Sequence, residues 1–237
     1  MKKPVIETKQ LPWVGAEDIA LINYAIPLLP PDPIILEAGA CSGDDTQSFK
    51  KIWPKCTIHA FEPHRDHYQE LLRRKIDKMP HVHLYNFALS DTDGIQTFYM
   101  SKKVPGASSL LEDNLKNIEI PDQILQSVND KREDVGYQDR PTAVRCRKLS
   151  SWAEEEKVKK IDFFWIDVEG SELRLLGNAG PVLDTVKVIL IEVNFKEFRK
   201  GGAFFDDVYA FLSDKGFHLK YINGNPLWQG NCIFIRR

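Results

Sequence analysis

Apolar positions along this chain come in short runs separated by amphipathic stretches. Residues 16–29 (AEDIALINYAIPLL) carry apolar residues at helical spacing and stop at Pro30-Pro31, which predicts a helix. Ile34-Ile35-Leu36 is short, apolar and bounded by turn residues, as a buried strand is. A helix over 44–52, a strand over 56–61 (CTIHAF) and a charged helix over 66–76 follow. Residues 82–89 (VHLYNFAL) are expected to be a third strand, with a short extra one over 96–100 after the turn at Asp93-Gly94. After a gap the alternation resumes. A short strand over 144–147 precedes a helix over 150–156, a strand over 161–166 and a helix over 171–176. The run over 186–193 (VKVILIEV) reads most plainly as a strand buried on both faces. A helix over 204–215 ends at Gly216, and 217–222 with 232–235 are expected to close the sheet as an antiparallel pair. Such strand–helix alternation with short connections predicts a mostly parallel sheet with helices on both faces.

The gap spans residues 101–141. It is polar and holds Pro105, Gly106, Pro121, Gly136 and Pro141, with room for short helices between Leu110 and Leu125. It has too few large apolar residues for a core of its own. We therefore expect an insertion or lid over the carboxyl edge of the sheet within a single domain spanning 1–237, residues 1–30 forming an N-terminal helical segment.

Composition narrows the function. Of 237 residues, 43% are apolar, enough for a sizeable core. The formal net charge is −2, which lacks the basic footprint of a tight duplex nucleic-acid binder. Cys41, Cys56, Cys146 and Cys232 are scattered, without the spacing of a zinc knuckle or a disulfide framework. The opening MKKPVIETKQLPW has no apolar signal core, and no apolar run reaches the roughly 18 residues of a membrane span. A cytoplasmic protein is the expectation.

Candidate chemistry begins at ILEAGACSGDDT, residues 35–46. Gly39 and Gly43 follow a buried strand and open a helix, where α/β folds bind nucleotides. The spacing differs from the G-x-G-x-x-G of dinucleotide binders, and two such glycines often serve packing alone. The second strand ends in Phe61-Glu62-Pro63, which places Glu62 nineteen residues after Gly43, where an acid accepts bonds from both ribose hydroxyls. A pyrophosphate prefers backbone N–H groups and cations, so Glu37, Asp44 and Asp45 would repel it. S-adenosylmethionine has no phosphate and carries two positive centres, which acids attract. Asp44 and Asp45 also favour a helix N-terminus, so Glu37 is the more telling residue.

These motifs resemble the class I S-adenosylmethionine-dependent methyltransferases and, more narrowly, the FkbM-type family. The matching pieces are EAGACSGDDT (37–46), FEP (61–63), NFALSDTDG (86–94), ASSL (107–110), RKLSSW (147–152), IDVEGSELRLLGNA (166–179) and IEV (191–193). Two departures stand out: Trp165 occupies the place of a lysine before IDVEG, and Cys41 follows Gly39-Ala40. The resemblance implies a Rossmann-like α/β fold with a seven-stranded sheet whose last strand is antiparallel. It implies that Glu37, Gly39, Ala40 and Gly43 line the methionine end, with Asp167 beside them. Glu62 and Pro63 would hold the ribose, and Asn86 and Ala88 would flank the adenine. Phe61 reads as sheet core. The acceptor it implies is a hydroxyl on a sugar or a related small molecule, and the product cofactor is S-adenosylhomocysteine.

Methyl transfer from a sulfonium needs an aligned nucleophile and one base. Asp167 and Glu169 end one strand and Glu192 and Asn194 end the next, so three carboxylates on adjacent strand ends are the candidate catalytic set. The same oxygens suit Mg2+, although no metal is the favoured reading. Glu169 reads equally as a helix cap. His59 sits in mid-strand as a structural residue, and Ser42 lacks the context of a hydrolase nucleophile. Two other classes remain open on the residues alone: an NAD-type oxidoreductase or epimerase, and a non-catalytic adenosine-binding module.

Overall fold

The structure, a computed structural model, describes residues 16–101, 104–120, 122, 138 and 140–236. The expected segment before Ala16 and most of the second half of the insertion lie outside the described residues. Strands β1 (Ile34–Ala38), β2 (Thr57–Phe61) and β3 (Val82–Tyr85) alternate with helices α1 (Ala16–Ala25), α2 (Asp44–Ile52) and α3 (Arg65–Arg73). After β4 (Ala88–Leu89), β5 (Gly94–Met100) and β6 (Arg140–Arg147) come α4 (Leu149–Glu155), β7 (Phe163–Ile166) and α5 (Glu172–Leu176). Then β8 (Val188–Asn194), α6 (Phe205–Asp214), β9 (Phe217–Ile222) and β10 (Gln229–Arg236) close the chain.

The main sheet has seven strands in the order β3-β2-β1-β7-β8-β10-β9. β10 runs antiparallel to both neighbours, and the other pairs are parallel. This is the class I methyltransferase architecture expected from the sequence. Helices α1, α2 and α3 cover one face, where Ile22, Phe49 and Leu71 meet Ile35, Ile58, Phe163 and Leu190. Helices α4, α5 and α6 cover the other, where Trp152, Leu175 and Leu212 meet Leu36, Phe164, Ile189 and Ile191. All seven residues of β8 are buried, which is why its sequence shows no polar alternation. Each such aliphatic side chain contributes about 1.5–3 kcal/mol of burial.

One expected strand divides. Residues 82–89 do not run straight: β3 ends at Tyr85, and β4 leaves to join a three-stranded sheet ordered β4-β6-β5. The turn is held by Asn86, whose amide donates to Glu62 O at 2.9 Å and Pro63 O at 3.1 Å. β6 begins at Arg140 and pairs along the whole of β5, which extends the expected strand 144–147 toward its N-terminus. The charged helix ends at Arg73, and Lys75 turns through φ 60° into a 3-10 turn over Ile76–Lys78. The described part of the insertion bonds to the loop that follows β8. Asn114 N–H donates to Phe198 O and Lys200 N–H to Glu112 O, both at 2.8 Å. Leu115 and Ile120 pack with the stacked rings of Phe198 and Trp228, 4.7 Å apart. Residues 108–120 form no helix; the helical turn here is Pro105–Ala107.

Candidate active site

The strand order reverses between β1 and β7, and the ends of these strands are tied together. Asp167 N–H donates to Ala38 O at 3.0 Å. Gly39 N–H and Ala40 N–H both donate to Phe61 O, at 3.1 and 2.9 Å. At Gly39 the backbone has φ +97°, and an added Cβ would stand 1.9 Å from Asp167 O. Only glycine fits there, because two strand ends meet with no room for a side chain. The loop continues through Cys41 at φ 41° to Gly43 at φ 79°, which starts α2. A Cβ on Gly43 would lie 2.8 Å from Leu71 Cδ2, so this glycine makes room for the neighbouring helix.

Glu62, at the end of β2, is 4% exposed. Its Oε2 accepts the Cys41 N–H at 3.0 Å and its Oε1 accepts the His64 N–H at 2.7 Å. His67 Nδ1 lies 3.6 Å from Oε1, and this carboxylate raises the imidazole above its ordinary range. A carboxylate offers about four lone-pair positions, so two backbone donors fix its orientation and leave acceptor capacity free. That capacity faces a pocket of about 710 Å³, counting its open mouth. Gly39, Cys41 and Asp45 line it, with Pro63, Ala88, Leu89 and Asp167. Pro105, Gly106, Ser108 and Leu110 complete the lining from the insertion, as its roof.

Beside Asp167 the acids gather. One oxygen each of Asp167, Glu169 and Glu192 lie within 4.8 Å of one another. Arg199 Nη2 donates to Glu169 Oε2 at 2.8 Å, and Gln229 donates to Glu192 Oε1. Glu192 Oε2 and Asn194 Oδ1 are buried without a hydrogen-bond partner. Burial, then the charges of Asp167, Glu169 and Glu172, push the Glu192 carboxyl well above its ordinary range. Glu172 accepts the Gly170 N–H at 2.9 Å and is pushed by burial to about 7. Burial also raises Glu169, with the Arg199 guanidinium opposing.

The model of the methyltransferase FkbM domain matches residues 37–219. The chain belongs to the FkbM methyltransferase family. Among curated relatives of this FkbM protein is the 2-O-methyltransferase NoeI of Sinorhizobium fredii, 27% identical over 175 residues, which cover 72% of this chain and 67% of that protein. Methyltransferase sdnD of Sordaria araneosa is 26% identical over 207 residues, covering 83% and 78%. Among solved structures, an FkbM methyltransferase from Methylobacillus flagellatus KT superposes with TM-score 0.53 at 15% identity. That likeness covers 88% of this chain but 45% of the longer partner, so the chain spans less than half of it.

The structure brings together Gly39, Glu62, Pro63, Ala88 and Asp167 around the pocket. It places Glu37, Ala40, Gly43 and Asn86 elsewhere. Glu37 is fully buried and accepts the Thr46 hydroxyl at 2.6 Å, while its other oxygen has no partner. Burial raises its carboxyl well above the ordinary range, with the Asp45 charge adding to it. It sits beneath the loop, bonded to the start of α2. Strand alternation carries that signal, because Glu37 shares a face with the core residue Ile35. Asn86 spends its amide on the backbone corner after β2, and Ala40 packs in the core. Glu169 lies off the pocket in contact with Arg199, and Glu192 stands behind Asp167. His67 and Phe98 line the pocket without having been expected there, and Pro105, Gly106, Ser108 and Leu110 of the insertion line it too. His67 sits on the helix that follows FEP, five residues after Glu62, a local spacing that would have pointed to it. Arg199 and Gln229 had no local signal at all. The thiols of Cys56, Cys146 and Cys232 are buried and free, and Cys41 is part-exposed at the pocket. Among the described residues, no helix is long and apolar enough to cross a membrane.

Proposed function

We propose that the protein transfers a methyl group from S-adenosylmethionine to a hydroxyl oxygen of a sugar or a related small metabolite. The observation that carries the cofactor is the Glu62 carboxylate, fixed by two backbone N–H groups at the pocket. A ribose diol needs such a preset acceptor. Among the described residues no Lys or Arg lines the pocket, as a pyrophosphate would require. Asp45 and Asp167 line it instead and suit a sulfonium. The oxygen acceptor draws support from the Sinorhizobium fredii relative, a 2-O-methyltransferase. The sugar class rests on the family resemblance. In this reading residues 1–237 form one methyltransferase domain and the insertion over 101–141 is its lid.

When bound, the cofactor supplies an electrophilic methyl on a positively charged sulfur. Asp167, which lines the pocket, would take the proton of the acceptor hydroxyl as the methyl is transferred. The sulfonium would leave as a neutral thioether, so the reaction would call for one base and no acid. Burial and its neighbours' charge raise the proton affinity of Glu192 well above the ordinary range. Arg199 balances Glu169. The oxygens of this set suit Mg2+, but Glu169 already has a cation and Glu192 a donor, so this reading places no metal there.

The test is incubation with methyl-labelled S-adenosylmethionine and fractionated glycans and small metabolites, with and without EDTA. Label should appear as an O-methyl group in a hydroxyl-bearing fraction in both arms. Failure to bind the cofactor in calorimetry would overturn the reading; dependence on added metal would overturn its metal-free form.

A further inference from the structure

Arg199 comes from the loop between β8 and α6 and is only 3% exposed. Its Nη2 donates to two acceptors far apart in sequence: Ala107 O at 2.7 Å and Glu169 Oε2 at 2.8 Å. One guanidinium thus joins the insertion to the turn after β7. A second bond runs beside it, because Ser109 Oγ donates to Glu169 O at 2.8 Å and accepts the Leu111 N–H at 3.0 Å. The residues between and beside these anchors, Pro105, Gly106, Ser108 and Leu110, are the pocket's roof. The turn beneath is shaped to admit the arginine stem. A Cβ on Gly170 would lie 3.0 Å from Arg199 Cγ, and one on Gly202 would lie 3.3 Å from Arg199 Cβ.

We infer that Arg199 is a positioning residue that latches the 105–110 roof over the cofactor pocket by bonding Ala107 and Glu169 at once; the ligand named rests on the cofactor reading above. The latch has a physical basis in its burial. A charged donor bonded away from water is worth more than an exposed one, and both acceptors lose their partner if it goes. The Glu169 side of the latch also belongs to the acidic set beside Asp167, so roof closure and the charge of that set share one residue.

Three variants test this on the full chain: Arg199→Met, Arg199→Lys and Ser109→Ala. Binding of S-adenosylhomocysteine is read by calorimetry, and amide exchange of residues 104–111 is read without ligand. Arg199→Met should weaken binding by about tenfold or more and speed exchange by a similar factor within 104–111 alone. Arg199→Lys keeps a charged donor and should recover much of both losses. Ser109→Ala should show a smaller change of the same kind. Wild-type affinity and wild-type exchange in folded Arg199→Met would overturn the latch. If that variant does not fold, Arg199→Gln, which also lacks the charge, takes its place, and wild-type affinity and exchange in folded Arg199→Gln overturn the latch equally. Absence of binding by the wild-type protein would sink the cofactor reading, and exchange at the roof would still decide the latch.

Discussion

The sheet presents two carboxylate sites at the carboxyl ends of its strands, and they are solved in opposite ways. At β2, Glu62 is met by two backbone N–H groups and a neighbouring histidine. At β7 and β8 the acids Asp167, Glu169, Glu172 and Glu192 crowd together, with the Arg199 guanidinium on Glu169, the Gln229 amide on Glu192 and the Gly170 N–H on Glu172. The first site is satisfied, so its charge is fixed in place and its geometry is preset for binding. The second is left with buried oxygens that lack partners, and its proton affinities are raised. Unmet charge of this kind is where protons can move near neutral pH. On the proposed reading, the contrast separates a group that holds from a group that reacts.

The sharpest break in that contrast is Asp167→Asn. It should lower turnover by about 10²- to 10⁴-fold while cofactor affinity stays within a few fold, checked by kinetics beside calorimetry. Retained turnover would move the base elsewhere in the set. Next in size is Glu62→Ala, which should behave in the reverse sense. Affinity for S-adenosylhomocysteine should fall by roughly a hundredfold, because a charged acceptor for two hydroxyls is gone. Unchanged affinity would end the ribose assignment.

The smallest effect sharpens the second region. Glu172 is raised by burial to about 7 from an ordinary 4.5, so the folded state holds its proton more tightly than the unfolded chain. Stability from this group is complete below about pH 4.5 and is lost as pH rises through about 7. Glu172→Gln stays neutral and can still accept the Gly170 N–H. Its melting temperature should fall less across that window, and its stability near pH 8 should exceed wild type by no more than roughly 3 kcal/mol. A pH profile parallel to wild type would show that Glu172 is already ionised in the fold.

Much of the first region was legible because its partners are local. FEP and the loop before it place Glu62, Cys41 and His64 within a strand end and the turns beside it. Two residues of the same stretch have packing partners that the loop motif does not show: strand alternation turns Glu37 inward, and Gly43 makes room for Leu71. The second region was legible only in its members on β7 and β8. Arg199 reaches Glu169 across 30 residues and Ala107 across 92, and Gln229 reaches Glu192 across 37. No periodicity or short motif carries such pairings.

The sequence by itself determined the order of strands and helices, the buried β8, and the placing of the acids Glu62 and Asp167 just beyond strand ends. Those follow from residue spacing, which the backbone converts directly into faces and turns. Only the tertiary structure decided which acids meet the pocket, which are buried with raised proton affinity, and how 82–89 divides between two sheets. These depend on which segments the fold brings within a few ångströms, where burial and neighbouring charge set the behaviour of each group.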